Sequence, residues 1–403
     1  MLFSFSNYSS ILLIFFFHGV TYSVLFFRRS WQFQHKASGL LGVFILLCCL
    51  YICPWMLGHA GWYSTQPYRD AMFYIPFQQL FFLGPIIYFY TQSLLNQSFR
   101  FQKKDLWHLV PGGLYLLYSL VVYITDQWFM GYYYFYADER DKDLATWYQI
   151  AGLISMIGYF LVSLRYYFTY KALAYNTLSF AESVLFRWIR NFLSAFLLMQ
   201  AIRLFFFFFS PEWGDFPQKW WNYFIFSLLF YYVSIAGYSN TIQAALPFQS
   251  SLLNGSATLG PFITPLVPEI KTADVQEIAP QSEVDIIPWK KKIEQQIQQE
   301  QLFRDPKLSL TDLAQKLDTN TRIISKTINQ GFDMNFNDFI NFHRVEAVKE
   351  AIQEGATQDL TLLGIALDCG FNSKTTFNRA FKKHAGSSPK SFLQAQKRSV
   401  GTK

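Results

Sequence analysis

The stretch LLGIALDCGFNSKTTFNRAFKKH, Leu362–His384, decides how the C-terminal part of the chain folds. Leu362, Ile365, Ala366 and Cys369 fall at i, i+3, i+4 and i+7, which is one face of a helix. Gly370 can take the left-handed turn that a side chain would resist. Phe371 fills the corner and Asn372 stands where a cap is needed. Ser373–His384 reads as a second helix with Phe377, Ala380 and Phe381 turned inward. Gly386 ends it, and Ser388-Pro389 caps and starts a last short helix. Helix, tight turn and helix in this order is a helix-turn-helix unit.

Upstream the layout repeats. Ser309-Leu-Thr-Asp312 has the form of a capping box, with Asp in the usual Glu position. Leu310, Leu313, Ala314 and Leu317 line one face, Asp318-Thr319 breaks the helix, and Asn320 caps Thr321–Asn329, whose Ile324 and Ile328 face inward. The two units thus span about residues 309–329 and 362–384. Asn335 caps a connector running to Glu354, about 28 Å long at 1.5 Å per residue. That approaches the ~34 Å between two major-groove visits on one face of B-DNA. Ahead of both, Trp289–Phe303 is amphipathic through Ile293, Ile297 and Leu302. It is expected to pack on the following domain, with a homodimer contact as the alternative.

Ala366-Leu-Asp-Cys-Gly370-Phe371 through Phe377, Arg379, Phe381, Gly386 and Pro389 resembles the signature of the AraC/XylS family of bacterial transcription regulators. Leu310, Ala314, Ile324, Ile328, Gly331, Phe339 and Arg344 are similar to that family's first unit. The resemblance covers about Leu308–Phe392 and departs at Asp318, where the family often has Gly, although Asp tolerates that conformation. It implies base-reading positions at Lys374, Thr375, Thr376, Asn378 and Arg379, and at Arg322, Ser325 and Lys326 in the first unit. Helical spacing independently puts Lys374, Thr375, Asn378, Arg379 and Lys382 on the side away from Phe377 and Phe381. Lys383 stands at a phosphate-contacting position. Arg suits guanine, Asn adenine, and Lys guanine or phosphate. Beyond Asp368 there are eight Lys and Arg and no acid, the charge balance of a double-stranded DNA partner.

The rest of the chain is of another kind. Overall 52% of residues are hydrophobic, 20% aromatic and only 15% charged, against about 25% charged in a soluble domain. Residues 1–268 hold 15 Lys and Arg and 10 Asp and Glu; residues 289–403 hold 18 and 12 in less than half the length. This excludes a disordered or collagen-like chain and, for the first part, a soluble enzyme. Spanning a bilayer takes about 20 mostly apolar residues. Seven runs qualify: Ser9–Phe27, Ser38–Leu57, Ala71–Leu95, Leu106–Ile124, Leu144–Tyr166, Trp188–Phe209 and Trp220–Ile242. None reads as a cleavable signal peptide. Basic residues concentrate after runs 1, 3 and 5, which places the N-terminus outside and the chain beyond Ile242 in the cytoplasm. From Gln243 to Pro288 six Pro and scattered Ser and Gly forbid a long regular element, and the stretch carries a net charge of −4. As a coil this linker would span about 35–40 Å.

The expected fold is therefore all-α: a seven-transmembrane bundle over residues 1–242, a linker over 243–288, and a soluble double helix-turn-helix domain over 289–403. The family's usual sugar-binding domain has no counterpart here, so its effectors do not carry over. Arg203 is the one charge well inside a run and a default functional candidate, though snorkelling to the outer headgroups would also satisfy it. Gln78 and Gln79 share its standing as ligand or sensor residues. The aromatic, then acidic stretch Trp128–Asp143 reads as an interfacial loop or as part of a ligand-capturing lid. Cys48, Cys49 and Cys53 read as packing residues, and no metal, cofactor or catalysis is implied. The function expected is a transcription regulator in the cytoplasmic membrane, its DNA-binding domain answering an unknown signal ligand. A transporter or enzyme with an attached regulatory domain is the alternative.

Overall fold

The structure is a computed structural model that describes residues 4–96, 99–181, 187–209, 219–240 and 286–400. Every named element among them is helical. The chain divides into two compact units, Met1–Tyr167 with Arg187–Ser250, and Phe168–Phe186 with Ser251–Lys403. The linker expected at Gln243–Pro288 lies outside the described residues except for its last three, which open a helix.

In the first unit, α1 (Asn7–Phe33) starts at Ser6, whose Oγ accepts from Ser9 N at 3.1 Å while Ser6 N donates to Ser9 Oγ at 2.9 Å. This reciprocal box satisfies two backbone donors that a helix start leaves open. After a left-handed turn at Gln34, α2 (Lys36–His59) runs back along α1. A methyl group on Gly19 would stand 2.3 Å from Cys49 Sγ, so the close approach of the two helices depends on that glycine. Leu41, Ile45, Cys48 and Ile52 of α2 are wholly enclosed.

The third apolar run, expected as one helix over Ala71–Leu95, is divided into α3 (Tyr68–Tyr74) and α4 (Leu80–Leu95). The break lies at Pro76, which has no N–H to give and pushes its predecessor out of the helical region. Its freed backbone groups find polar partners: Gln78 N donates to Asp143 Oδ2 at 2.8 Å, and Tyr148 Oη donates to Gln78 O at 2.5 Å. Non-helical backbone inside an apolar environment persists only with such partners.

Next come α5 (Val110–Ile124), α6 (Thr146–Thr177), α7 (Arg187–Phe209) and α8 (Trp220–Asn240). Among the described residues, five helical stretches are long and apolar enough to cross a membrane: Asn7–Phe33, Lys36–His59, Lys103–Met130, Thr146–Thr177 and Trp188–Phe208. The divided third run and α8, with its Trp, Tyr and Asn residues, do not join them. Leu114, Leu117 and Leu120 on α5 face outward, each more than half exposed.

The second unit contains α9 (Ile286–Gln299), α10 (Leu310–Lys316), α11 (Thr321–Gly331), α12 (Phe336–Gln353), α13 (Leu362–Asp368), α14 (Lys374–Ala385) and α15 (Pro389–Val400). Two apolar cores form within it. Ile293 and Ile297 of α9, Leu310 and Leu313 of α10, and Ile324 and Ile328 of α11 make the first. Ile365, Ala366, Phe371, Phe377 and Phe381 make the second. Helix α12 joins them, giving Phe336, Phe339 and Ile340 to the first core and Val345, Val348 and Ile352 to the second. A rigid rod whose two halves are buried in different cores fixes the orientation of the two flanking units. The last turns of α6 and the residues to Ala181 also belong to this unit.

Candidate nucleic-acid interface

Each helix-turn-helix unit is built from caps and one left-handed corner. Asp312 N donates to Ser309 Oγ at 3.2 Å and Ser309 N to Asp312 Oδ2 at 2.9 Å, closing the box that starts α10. The corner that follows is Asp318, at φ 49°. Asn320 Oδ1 then accepts from Ile323 N at 2.9 Å and starts α11. In the second unit Thr361 caps α13, and Gly370 turns the corner at φ 92°. Ser373, and not Asn372 as the sequence suggests, caps α14, with Thr376 N donating to Ser373 Oγ at 3.2 Å. The amide of Asn372 is engaged elsewhere, donating to Pro306 O at 3.0 Å.

These starts orient the two recognition helices, α11 and α14. On α14, Lys374, Thr375, Asn378, Arg379, Lys382 and Lys383 are all exposed, while Phe377, Ala380 and Phe381 are buried. On α11, Arg322 is exposed and Ser325 and Lys326 are half-buried. Thr376 departs from the expected base-reading set. It lies at the third position of α14, buried, with its Oγ1 3.0 Å from Ser373 Oγ. A side chain held in the cap cannot reach a base edge. Lys383 is joined to Asp338 of α12 at 2.7 Å, which tethers its ammonium on the flank of the helix. Arg379 Nη2 lies 3.4 Å from Tyr175 Oη, a residue of the α6 end.

Behind this face lies a buried polar residue whose role spacing alone did not reveal. Arg344 of α12 is 1% exposed. Its Nε donates to Phe303 O at 2.7 Å, Nη2 to Asp305 O at 2.8 Å, and Nη1 to Asn341 Oδ1 at 3.2 Å. Nη1 also donates to Ser179 O at 3.2 Å, and Nη2 to Ser179 Oγ at 3.1 Å. Burial lowers its pKa to about 10, still high enough to keep the charge at neutral pH. His343 beside it is pushed down to about 4 by burial and is therefore neutral.

The other candidates lie in the first unit. Arg203 does not snorkel outward. It is buried, with Nη2 donating to Gln149 Oε1 at 2.7 Å and to Gln149 O at 3.0 Å. Gln149 Nε2 donates in turn to Gln78 Oε1 and to Asp143 O, both at 2.6 Å. Tyr115 Oη donates to Asp143 Oδ1 at 2.6 Å, and Tyr63 donates to the neighbouring Asp141. Burial pushes Asp143 up to about 6; Asp141 is also raised, by burial first and then by the charge of Asp143. The structure thus brings Arg203 and Gln78 into one network at the break between α3 and α4. Gln79 stays outside it, its amide turned back on Pro76 O at 2.5 Å. Asp141 and Asp143 belong to the acidic stretch that the sequence marks, but their place beside Arg203 and Gln149 has no local signal; for Gln149 the available one is a Gln in an apolar run. Cys48, Cys49, Cys53 and Cys369 are all buried.

Residues 313–395 match a family described as a helix-turn-helix domain, from within α10 through both recognition helices into α15. This agrees with the AraC-type resemblance and identifies the domain as a DNA-binding regulatory one. No curated protein and no solved structure matches the chain.

Proposed function

We propose that the chain is a transcription regulator integrated in the cytoplasmic membrane, which couples a signal received by residues 1–242 to promoter binding by residues 289–403. The observation that carries this reading is a juxtaposition in one chain. Two recognition helices present Arg322, Lys374, Asn378 and Arg379 at or near the surface, and they follow a segment rich in helices of membrane length. Arg322 and Arg379 are the main base readers, with Ser325, Lys326, Lys374, Thr375 and Asn378 beside them and Lys382 and Lys383 on phosphates. The polar network of Arg203, Gln149, Gln78 and Asp143 is the seat of the signal response, because buried charges inside a membrane segment are expensive and kept for function. Outward-facing Leu114, Leu117 and Leu120 would lie against lipid tails. The chain has no catalytic role in this reading.

The split of basic residues between alternate loops supports seven spans, with the divided α3–α4 run and α8 as two of them. Reporter fusions test it. A reporter after Lys403 or at Gln102 should read cytoplasm, and one near Ala137 should read outside. A periplasmic signal from Lys403 would refute the seven-span topology.

A further inference from the structure

We propose that the stretch Tyr170–Ala181, the end of α6 and the residues after it, is a latch that docks on the DNA-binding domain and holds it in a state that disfavours DNA. The inference rests on the DNA-binding reading above. The occupant of this docking surface is present in the structure. Leu178 and Ser309 form an antiparallel bridge, and Ser179 N donates to Leu308 O at 3.2 Å. Asn337 Nδ2 donates to Leu178 O at 3.1 Å and to Ser179 O at 2.8 Å. Arg344 adds its two bonds to Ser179. Leu178, Ser179, Asn337 and Arg344 are all buried, so these bonds are shielded from water and each is harder to exchange than a surface contact.

Two consequences follow. Tyr175, in the last turns of α6, places its hydroxyl against the guanidinium of Arg379. A base edge and the latch cannot both occupy that place. Arg344 and Asn337 both belong to α12, the rod joining the two recognition helices, so the latch grips the element that sets their relative orientation. Helix α6 is continuous from Thr146 to Thr177. A shift or rotation of its membrane part is carried along the same backbone to the latch. The mechanism is thus an intramolecular competitor whose departure makes the domain competent for DNA.

The test is a reversible lock in the full chain, purified into lipid nanodiscs. Bridge partners have Cα atoms about 4.5–5.5 Å apart, within disulfide range. Leu178→Cys with Ser309→Cys should therefore cross-link on oxidation, with each single variant as control for the native cysteines. The probe is a DNA duplex selected from a randomised pool by the reduced double variant. Oxidation should weaken binding at least about tenfold, the loss expected when the competent population falls by that factor, and reductant should restore it. Restoration separates locking from misfolding. Asn337→Ala, which removes two latch bonds away from either recognition face, should tighten binding. Equal affinity of the oxidised and reduced double variant, or no gain in Asn337→Ala, overturns the latch. If the reduced protein selects no duplex at all, the DNA-binding reading falls and the latch with it.

Discussion

Gly370 and Gly386 offer a matched pair of substitutions in one domain. Both sit in the left-handed region, at φ 92° and φ 70°. Alanine at either position bears the left-handed penalty of about 1–2 kcal/mol. At Gly386 nothing else lies within 4 Å of the added carbon, so that penalty is the whole effect. At Gly370 the new Cβ would stand 2.4 Å from Phe303 O and 2.9 Å from the Arg304 backbone. The main chain at Phe303 must then move, and that same carbonyl accepts the Arg344 Nε bond at 2.7 Å. Losing a hydrogen bond to a charged group adds about 1.5–3 kcal/mol. Gly370→Ala should therefore destabilise by about 2.5–5 kcal/mol and Gly386→Ala by about 1–2 kcal/mol. Urea unfolding of the fragment 286–403, followed by circular dichroism, reads both. Equal losses, or a larger loss at Gly386, would refute the packing of the second unit's corner against Phe303.

In a binding profile over randomised operator positions, Arg379→Ala and Arg322→Ala should each lose about 1–3 kcal/mol and relax preference at a few base pairs about one helical turn apart. Lys383→Ala should weaken all sequences alike, and identical profiles for Arg379→Ala and Lys383→Ala would reduce Arg379 to a phosphate anchor. Residues 289–403 carry 18 Lys and Arg against 12 Asp and Glu, so affinity should fall steeply and linearly on a log–log salt plot; salt-insensitive binding contradicts the account. His343 has its folded pKa lowered to about 4 by burial, against about 6.5 when unfolded. The unfolded chain then binds more protons between these values, so the fragment should lose stability as pH falls from about 6.5 to 4. His343→Phe should flatten that window, which urea midpoints across the range will show.

The helix-turn-helix architecture was legible because its signals are local. Ser309 with Asp312, Asn320, Asn335 and Gly370 each specify a helix start or a corner within a few residues, and each does so in the structure. Where adjacent residues compete for one local role, the sequence was ambiguous. Asn372 and Ser373 can both cap, and the choice fell to a bond between Asn372 and Pro306, far away along the chain. Thr376 has the spacing of a surface reader, but its first-turn position buries it against the capping Ser373. The divided third run was foreshadowed by Pro76, yet its stabilisation by Asp143 and Tyr148 spans some 65 to 70 positions of sequence. Arg203 could be singled out by its charge, but its Gln149 partner could not, since a lone Gln in an apolar helix has no pattern to announce it. The grip of Arg344 on Ser179 is the extreme case, because it joins segments separated by a stretch of membrane composition.

One intact chain should both reside in the membrane and hold specific DNA. The most direct measurement cross-links DNA to the full-length protein in cells. Membranes are then isolated, washed in alkaline carbonate to strip peripheral proteins, and the DNA that stays with the chain is sequenced. Discrete duplex sites should be recovered from the washed membranes and lost in the Arg322→Ala, Arg379→Ala double variant. DNA recovered only with a soluble fragment, or a diffuse profile unchanged by that variant, would contradict the account.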